Sequence, residues 1–150
     1  MSFKRVITLL IILLVVVAIS FAVYHRTVRA QAPFSGVIVT TKMLDEARAS
    51  ASNQHKVLMV EFGANWCGDC MELSKRLEDP ITRNRLEQHF VVLTVDVGEF
   101  NRNLAIARSL GVDLNQGIPT AAFFSPDSTV PTVKLGTPQI LSYIREVAGR

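Results

Sequence analysis

Residues 57–70 read Val57-Leu58-Met59-Val60-Glu61-Phe62-Gly63-Ala64-Asn65-Trp66-Cys67-Gly68-Asp69-Cys70. Val57–Phe62 is an almost continuous apolar run, the pattern of a strand buried on both faces. From Cys67 to Glu78 the pattern changes: Met71, Leu73 and Leu77 recur among charged residues, so a helix is expected there. The two cysteines therefore stand where a buried strand gives way to a helix. Cys67 falls at the helix start, where unpaired backbone N–H groups and the helix dipole favour a thiolate. CxxC cysteines in this setting have pKa values of roughly 3.5–7.5, against about 8.5 for a free thiol. Cys70 lies one turn on and on the same face, within reach of Cys67, so it can resolve a mixed disulfide. One thiol attacks and one is held back, which is the spacing that dithiol exchange needs.

Other uses of the pair fit less well. A zinc site takes about four ligands. There is no second CxxC, and His25, His55 and His89 are dispersed. No metal and no cofactor is expected. With both cysteines in one motif there is no disulfide scaffold, and so short a loop adds little stability when closed.

Working outward, Val91–Val97 reads as a second buried strand and Thr120–Phe124 as a third. After the turn Ser125-Pro126-Asp127, Val130–Leu135 is the returning hairpin strand. Gln31–Gly36 reads as a linker and Val37–Thr40 as a short strand. Thr40 or Thr41 can cap a helix over Met43–Ser52. Pro80 ends the helix that follows the cysteines, and Ile81–His89 is a second helical piece. Asn101–Leu110 is a helix stopped by Gly111. Thr137 caps a last helix, Pro138–Ala148, with Pro138 at its first position. Alternating strands and helices imply an α/β domain over residues 33–150, a sheet with helices on both faces.

Residues 1–32 read as a membrane address. Val6–Val23 is an uncharged run of 18 residues in which only Thr8 and Ser20 are polar. As a helix it would be about 27 Å long, close to the ~30 Å hydrocarbon core of a bilayer. Lys4 and Arg5 precede it, and Arg26 and Arg29 follow. Two fates are open. The run exceeds a usual signal peptide, which favours an uncleaved N-terminal transmembrane helix. Ala30-Gln31-Ala32 offers an A-x-A-like cleavage site, which would release a soluble exported domain. The flanking charges nearly balance and the terminal amine tips them toward N-inside. Either fate puts residues 33–150 outside the cytoplasm, in the periplasm of a bacterium with two membranes.

Charge excludes another class. The chain of 150 residues carries 16 Lys+Arg and 13 Asp+Glu, a net of +3. Four of the bases and none of the acids lie in residues 1–32, leaving 12 bases against 13 acids in the folded part. A nucleic-acid binder would show a basic face there.

Glu61–Cys70 resembles the active-site segment of thioredoxin-fold proteins, and Ile118-Pro119-Thr120 before a hydrophobic strand resembles the cis-proline loop of that family. The resemblance covers about residues 37–148, and both motifs stand in the family's order. Asp79-Pro80 and Val95-Asp96-Val97 are similar to the periplasmic C-terminal domain of the transmembrane thiol:disulfide interchange reductase. The resemblance implies a thioredoxin-like fold with a central mixed sheet flanked by helices, and thiol–disulfide oxidoreductase activity. It implies Cys67 as nucleophile, Cys70 as resolving thiol and Pro119 as a cis-proline packed against the disulfide. Ile118 would offer its backbone to a bound substrate strand, beside the Gly68-Asp69 pair between the cysteines. Trp66 would shield the thiols and contact partners. Glu61 takes the place of a buried acid that shuttles a proton for the resolving cysteine, and is Glu where the family usually has Asp. Implied partners are disulfide-containing or dithiol proteins and an upstream electron-donor protein.

Asp69 departs from thioredoxin, which has proline there. A carboxylate in the first turn opposes ionisation of Cys67. A less stabilised thiolate makes a less oxidising dithiol, because strong oxidants are those whose reduced form is stabilised. The expectation is a reductase of exported disulfides. A disulfide oxidase or isomerase, and a redox-inert binding module, stand as the alternatives.

Overall fold

The computed structural model describes residues 11–21 and 32–149. The chain divides into two units, Met1–Ala32 and Pro33–Arg150. In the first, residues 11–21 are helical with exposed side chains. Among the described residues no helix is long and apolar enough to cross a membrane. The rest of the Val6–Val23 run, and Ala30-Gln31 of the cleavage motif, lie outside the described residues.

The second unit is a four-stranded mixed sheet with helices on both faces. β1 (Val57–Gly63) lies at its centre and is buried along its whole length. β2 (Phe90–Asp96) runs parallel to it, from Val57 opposite Phe90 to Gly63 opposite Asp96. β3 (Thr120–Phe124) pairs antiparallel on the other side, with Glu61 opposite Ala121, and β4 (Thr132–Leu135) adds antiparallel to β3. The order is β2-β1-β3-β4. β4 begins two residues later than the sequence implies because Pro131 has no N–H to give the ladder.

Side chains alternate across β1, so each face finds its own helices. Leu58, Val60 and Phe62 join Leu44 and Ala51 of α1 (Thr41–Asn53) and Ile106 and Ala107 of α4 (Leu104–Ser109). Val57 and Met59 join Leu73 of α2 (Gly68–Leu77) and Ile140 and Ile144 of α5 (Thr137–Ala148), with Leu86 of α3 (Pro80–His89) at the margin. Burying each of the Val, Leu, Ile, Met and Phe side chains among them contributes roughly 1.5–3 kcal/mol. α1 is capped as expected, Thr40 Oγ1 accepting from Met43 N at 3.3 Å.

Three expectations are corrected. Val37–Thr40 is not a strand. Its backbone is paired with a side chain: Val39 N donates to Asn103 Oδ1 (2.8 Å), and Asn103 Nδ2 donates to Val37 O (2.9 Å) and Asp96 O (2.7 Å). The helix expected over Asn101–Leu110 begins only at Leu104, because Asn103 is left-handed (φ 56°) to make those bonds. Thr137 does not cap α5: Gly136 occupies the N-cap, and Thr137 Oγ1 donates to Asp69 O at 3.0 Å, tying α5 to α2. Gly111 stops α4 with φ 69°, as read from the sequence. Pro80 both ends α2 and opens α3, with Asp79 capping Ile81 N.

Candidate active site

β1 delivers the chain to its C-terminal edge, and the turn Ala64–Trp66 swings it into α2, with Cys67 N donating to Ala64 O at 3.1 Å. Cys67 is the N-cap of α2 and its Sγ accepts from Cys70 N at 3.2 Å. Cys67 and Cys70 form a disulfide with a Cα–Cα distance of 5.2 Å. The sulfur of Cys67 therefore sits where free N–H groups converge, and on reduction the same groups stabilise its thiolate. The two sulfurs differ in access: Cys67 is 7% exposed and Cys70 0%. Cys70 is held on the inner side of α2 above Leu73, and its carbonyl accepts from Ser74 Oγ (3.0 Å). Attack from outside can reach Cys67 alone.

The loop before β3 closes over the pair. The Ile118–Pro119 peptide is cis. Ile118 O lies 3.7 Å from Cys67 Sγ, and Ile118 packs on the cluster formed by Cys67, Cys70 and Phe34. Pro119 is fully buried, and its carbonyl accepts from Gly136 N at 2.8 Å. The loop thus brings one backbone carbonyl and one apolar side chain to the sulfurs.

Glu61 is 3% exposed on the apolar strand β1. By strand alternation it shares the face of Met59, the face on which α2 lies. Burial pushes its carboxyl up from 4.5 to about 7, and Oε1 has no hydrogen-bond partner. A buried acid titrating near neutrality under the dithiol helix is suited to taking up and returning one proton. Asp69 is exposed in the first turn of α2, and Gly68 faces open space. Beside Asp69 a groove of about 630 Å³ runs between α2 and α5, with Arg76, Leu141 and Arg145 in its walls.

Trp66 lies at the surface, in the turn immediately before Cys67. It stands 51% exposed, its Nε1 donating to Gly98 O (2.8 Å) and its ring edge-on to Phe100 at 5.8 Å. The buried apolar cover of the sulfurs is Phe34, 2% exposed, from the segment read as a linker. Phe34 fits because Gly63 has no side chain: a Cβ there would overlap its ring. Asn65 clamps it by both backbone groups, Phe34 N donating to Asn65 Oδ1 (3.2 Å) and Asn65 Nδ2 to Phe34 O (2.6 Å). Sequence reading missed Phe34, Asn65 and Phe100. The one available signal was Gly63, a glycine in a buried strand, which marks a close approach. Among the described residues no three His, Cys, Asp or Glu side chains stand together as metal ligands.

Comparison with known proteins agrees with this geometry. A family model described as thioredoxin-like matches residues 39–126, more than half the chain. The thioredoxin-like protein CITRX of rice, a chloroplastic protein, is 33% identical over 92 residues, which is 61% of this chain and 43% of that protein. The chain thus spans under half the length of this curated relative. Among solved structures, a disulphide isomerase from Xylella fastidiosa is similar with a TM-score of 0.66 and 26% identity, covering 77% of this chain and 96% of that one. A thioredoxin from Thermus thermophilus has a TM-score of 0.53 and 28% identity, covering 69% and 82%. A CxxC disulfide capping a helix at the end of the central strand, a cis-proline loop against it and the match over β1 to β3 place the chain in the thioredoxin-like family.

Proposed function

We propose that the protein is a thiol–disulfide oxidoreductase that works as a reductase of disulfides in exported proteins. The observation that carries this reading is the asymmetry of the pair, with Cys67 at the helix N-cap and more accessible, and Cys70 sealed beneath it. The Cys67 thiolate attacks one sulfur of a substrate disulfide. That S–S bond breaks, the leaving sulfur takes up a proton, and a mixed disulfide joins Cys67 to the substrate. Cys70 then loses its proton to Glu61 and attacks Cys67 Sγ. The Cys67–substrate bond breaks, the second substrate sulfur leaves and takes up the proton that Glu61 held, and Cys67–Cys70 closes as a disulfide with two electrons transferred to the substrate. A donor dithiol protein reverses these steps to recharge the pair. Ile118 O beside Cys67 offers an acceptor to an extended substrate backbone. Trp66 and Phe100 offer an exposed aromatic edge next to it.

Asp69 supports the reducing direction, since its charge in the first turn of α2 opposes the Cys67 thiolate. The apolar run Val6–Val23 supports an anchor that holds residues 33–150 outside the cytoplasm. Insulin reduction by the full-length chain tests the activity. Cys67→Ser should abolish it, and Cys70→Ala should accumulate the mixed disulfide. Turnover surviving in Cys67→Ser would sink the assignment. An isomerase is the second reading, favoured by the similarity to the Xylella protein. A reduction potential of about −270 mV supports the reductase, and one of about −180 mV the isomerase. For the anchor, the full-length chain should stay in the membrane fraction through a carbonate wash. A soluble form beginning at Pro33 would show cleavage instead.

A further inference from the structure

The segment Phe34–Val39 is a strap fastened at two points to the body of the domain. Asn103 holds Val37 and Val39 at one end. Asn65 holds both backbone groups of Phe34 at the other. Asn65 lies two residues before Cys67, so the clamp belongs to the turn that delivers the nucleophile. The ring of Phe34 fills the notch left by Gly63 and is buried in one cluster with Cys67 and Cys70, against which Ile118 packs. On this side the surroundings of Cys67 are an aromatic ring that is itself 2% exposed. Apolar surroundings disfavour the thiolate, whereas the neutral disulfide gains from the same contact.

We propose that Phe34, clamped by Asn65 in the notch of Gly63, is a positioning residue that keeps the Cys67–Cys70 pair dry and thereby biases it toward giving up electrons. The inference rests on the redox reading above and deepens it. The bias acts on one balanced equilibrium: the Cys67–Cys70 disulfide and two glutathione thiols give the Cys67/Cys70 dithiol and one glutathione disulfide. Drying the site disfavours the dithiol side.

The test is a glutathione redox titration of the full-length chain, with thiolate absorbance followed against pH. Phe34→Ala should raise the constant for reduction about tenfold, which is about 30 mV for a two-electron couple. It should also lower the pH at which the Cys67 thiolate appears. Asn65→Ala keeps the ring but frees the strap, and should move both readouts the same way by about threefold. Phe34→Leu, which restores apolar cover, should return the constant to within about twofold of wild type. A purely structural phenylalanine would alter the denaturation midpoint and leave the glutathione constant alone. An unchanged constant in Asn65→Ala overturns the proposal, including where Phe34→Ala does not fold, and so does a Phe34→Leu shift as large as that of alanine. The titration does not depend on insulin turnover. A chain that exchanges with glutathione in a Phe34-dependent way but never reduces insulin would keep the positioning role and lose the reductase reading. An active chain with a Phe34-independent constant would do the reverse.

Discussion

On one face of β1, Leu58, Val60 and Phe62 present an unbroken apolar row to α1 and α4. On the other, Val57 and Met59 are followed by Glu61 and Gly63, beneath α2. Both rows are fully buried, so exposure does not explain the difference. The first row makes only dispersion and hydrophobic contacts and can be judged by volume. The second breaks its pattern at the end nearest the cysteines, once with a charge-capable group that burial pushes up to about 7 and once with a missing side chain. The first break leaves a buried carboxyl oxygen without a hydrogen-bond partner, and the second makes the seat of the Phe34 ring.

The contrast can be broken by substitution. Phe62→Ala should have the largest effect, a loss of about 3–5 kcal/mol in unfolding free energy from the cavity it leaves. The glutathione constant should stay unchanged in whatever fraction remains folded. A shift in that constant would mean that the apolar face also tunes the site.

Glu61→Gln should act with the opposite sign. The folded carboxyl holds its proton up to about pH 7 and the unfolded one only to 4.5, so between these the folded state binds more protons. The contribution of Glu61 is therefore most favourable below 4.5 and is lost as pH rises through about 7. At about 1.4 kcal/mol per pH unit the loss amounts to about 3 kcal/mol. The glutamine variant should be the more stable by up to that amount at about pH 8 and nearly equal at about pH 4. Resolution of the mixed disulfide should slow by about a hundredfold or more, the scale of a lost general base. Equal denaturation midpoints at both pH values, with unchanged resolution, would make Glu61 a spectator.

Gly63→Ala sharpens the contrast further, since the same small change is harmless on many strands. Here the added methyl must push the Phe34 ring aside, and overpacking of this kind costs about 1–3 kcal/mol. Asp69→Asn should have the smallest effect because the carboxylate is solvated. Removing about 1 kcal/mol of repulsion from the Cys67 thiolate should raise the potential by about 20 mV. A potential that stays level or falls in a redox titration would leave the reducing direction without electrostatic support.

Much of this was legible in the chain because its signals are local. The apolar run Val57–Phe62, the CxxC after it and the glycine stop at Gly111 each depend on neighbours a few residues away, and each recurs in the structure at or within a residue of its expected place. Glu61 was conspicuous as an acid in an apolar strand. Its missing partner was not, because satisfaction is decided by whatever packs opposite. The strand expected over Val37–Thr40 failed for the same reason. Its extended backbone found an asparagine side chain 64 residues on in place of a sheet neighbour.

The sequence by itself determined the alternation of strand and helix, the dithiol at a helix start, the cis-proline motif and the family. These follow from periodicity and from short-range backbone chemistry, which a linear pattern records. Only the tertiary structure decided which sulfur is sealed, that Trp66 bonds Gly98 and stands edge-on to Phe100, and that Phe34 is buried with the pair. Contacts across 31 residues of chain, such as Asn65 to Phe34, depend on how β1 and the strap meet in space. No residue of the linker-like stretch Gln31–Gly36 carries that information alone, because its burial is a property of the notch it fills.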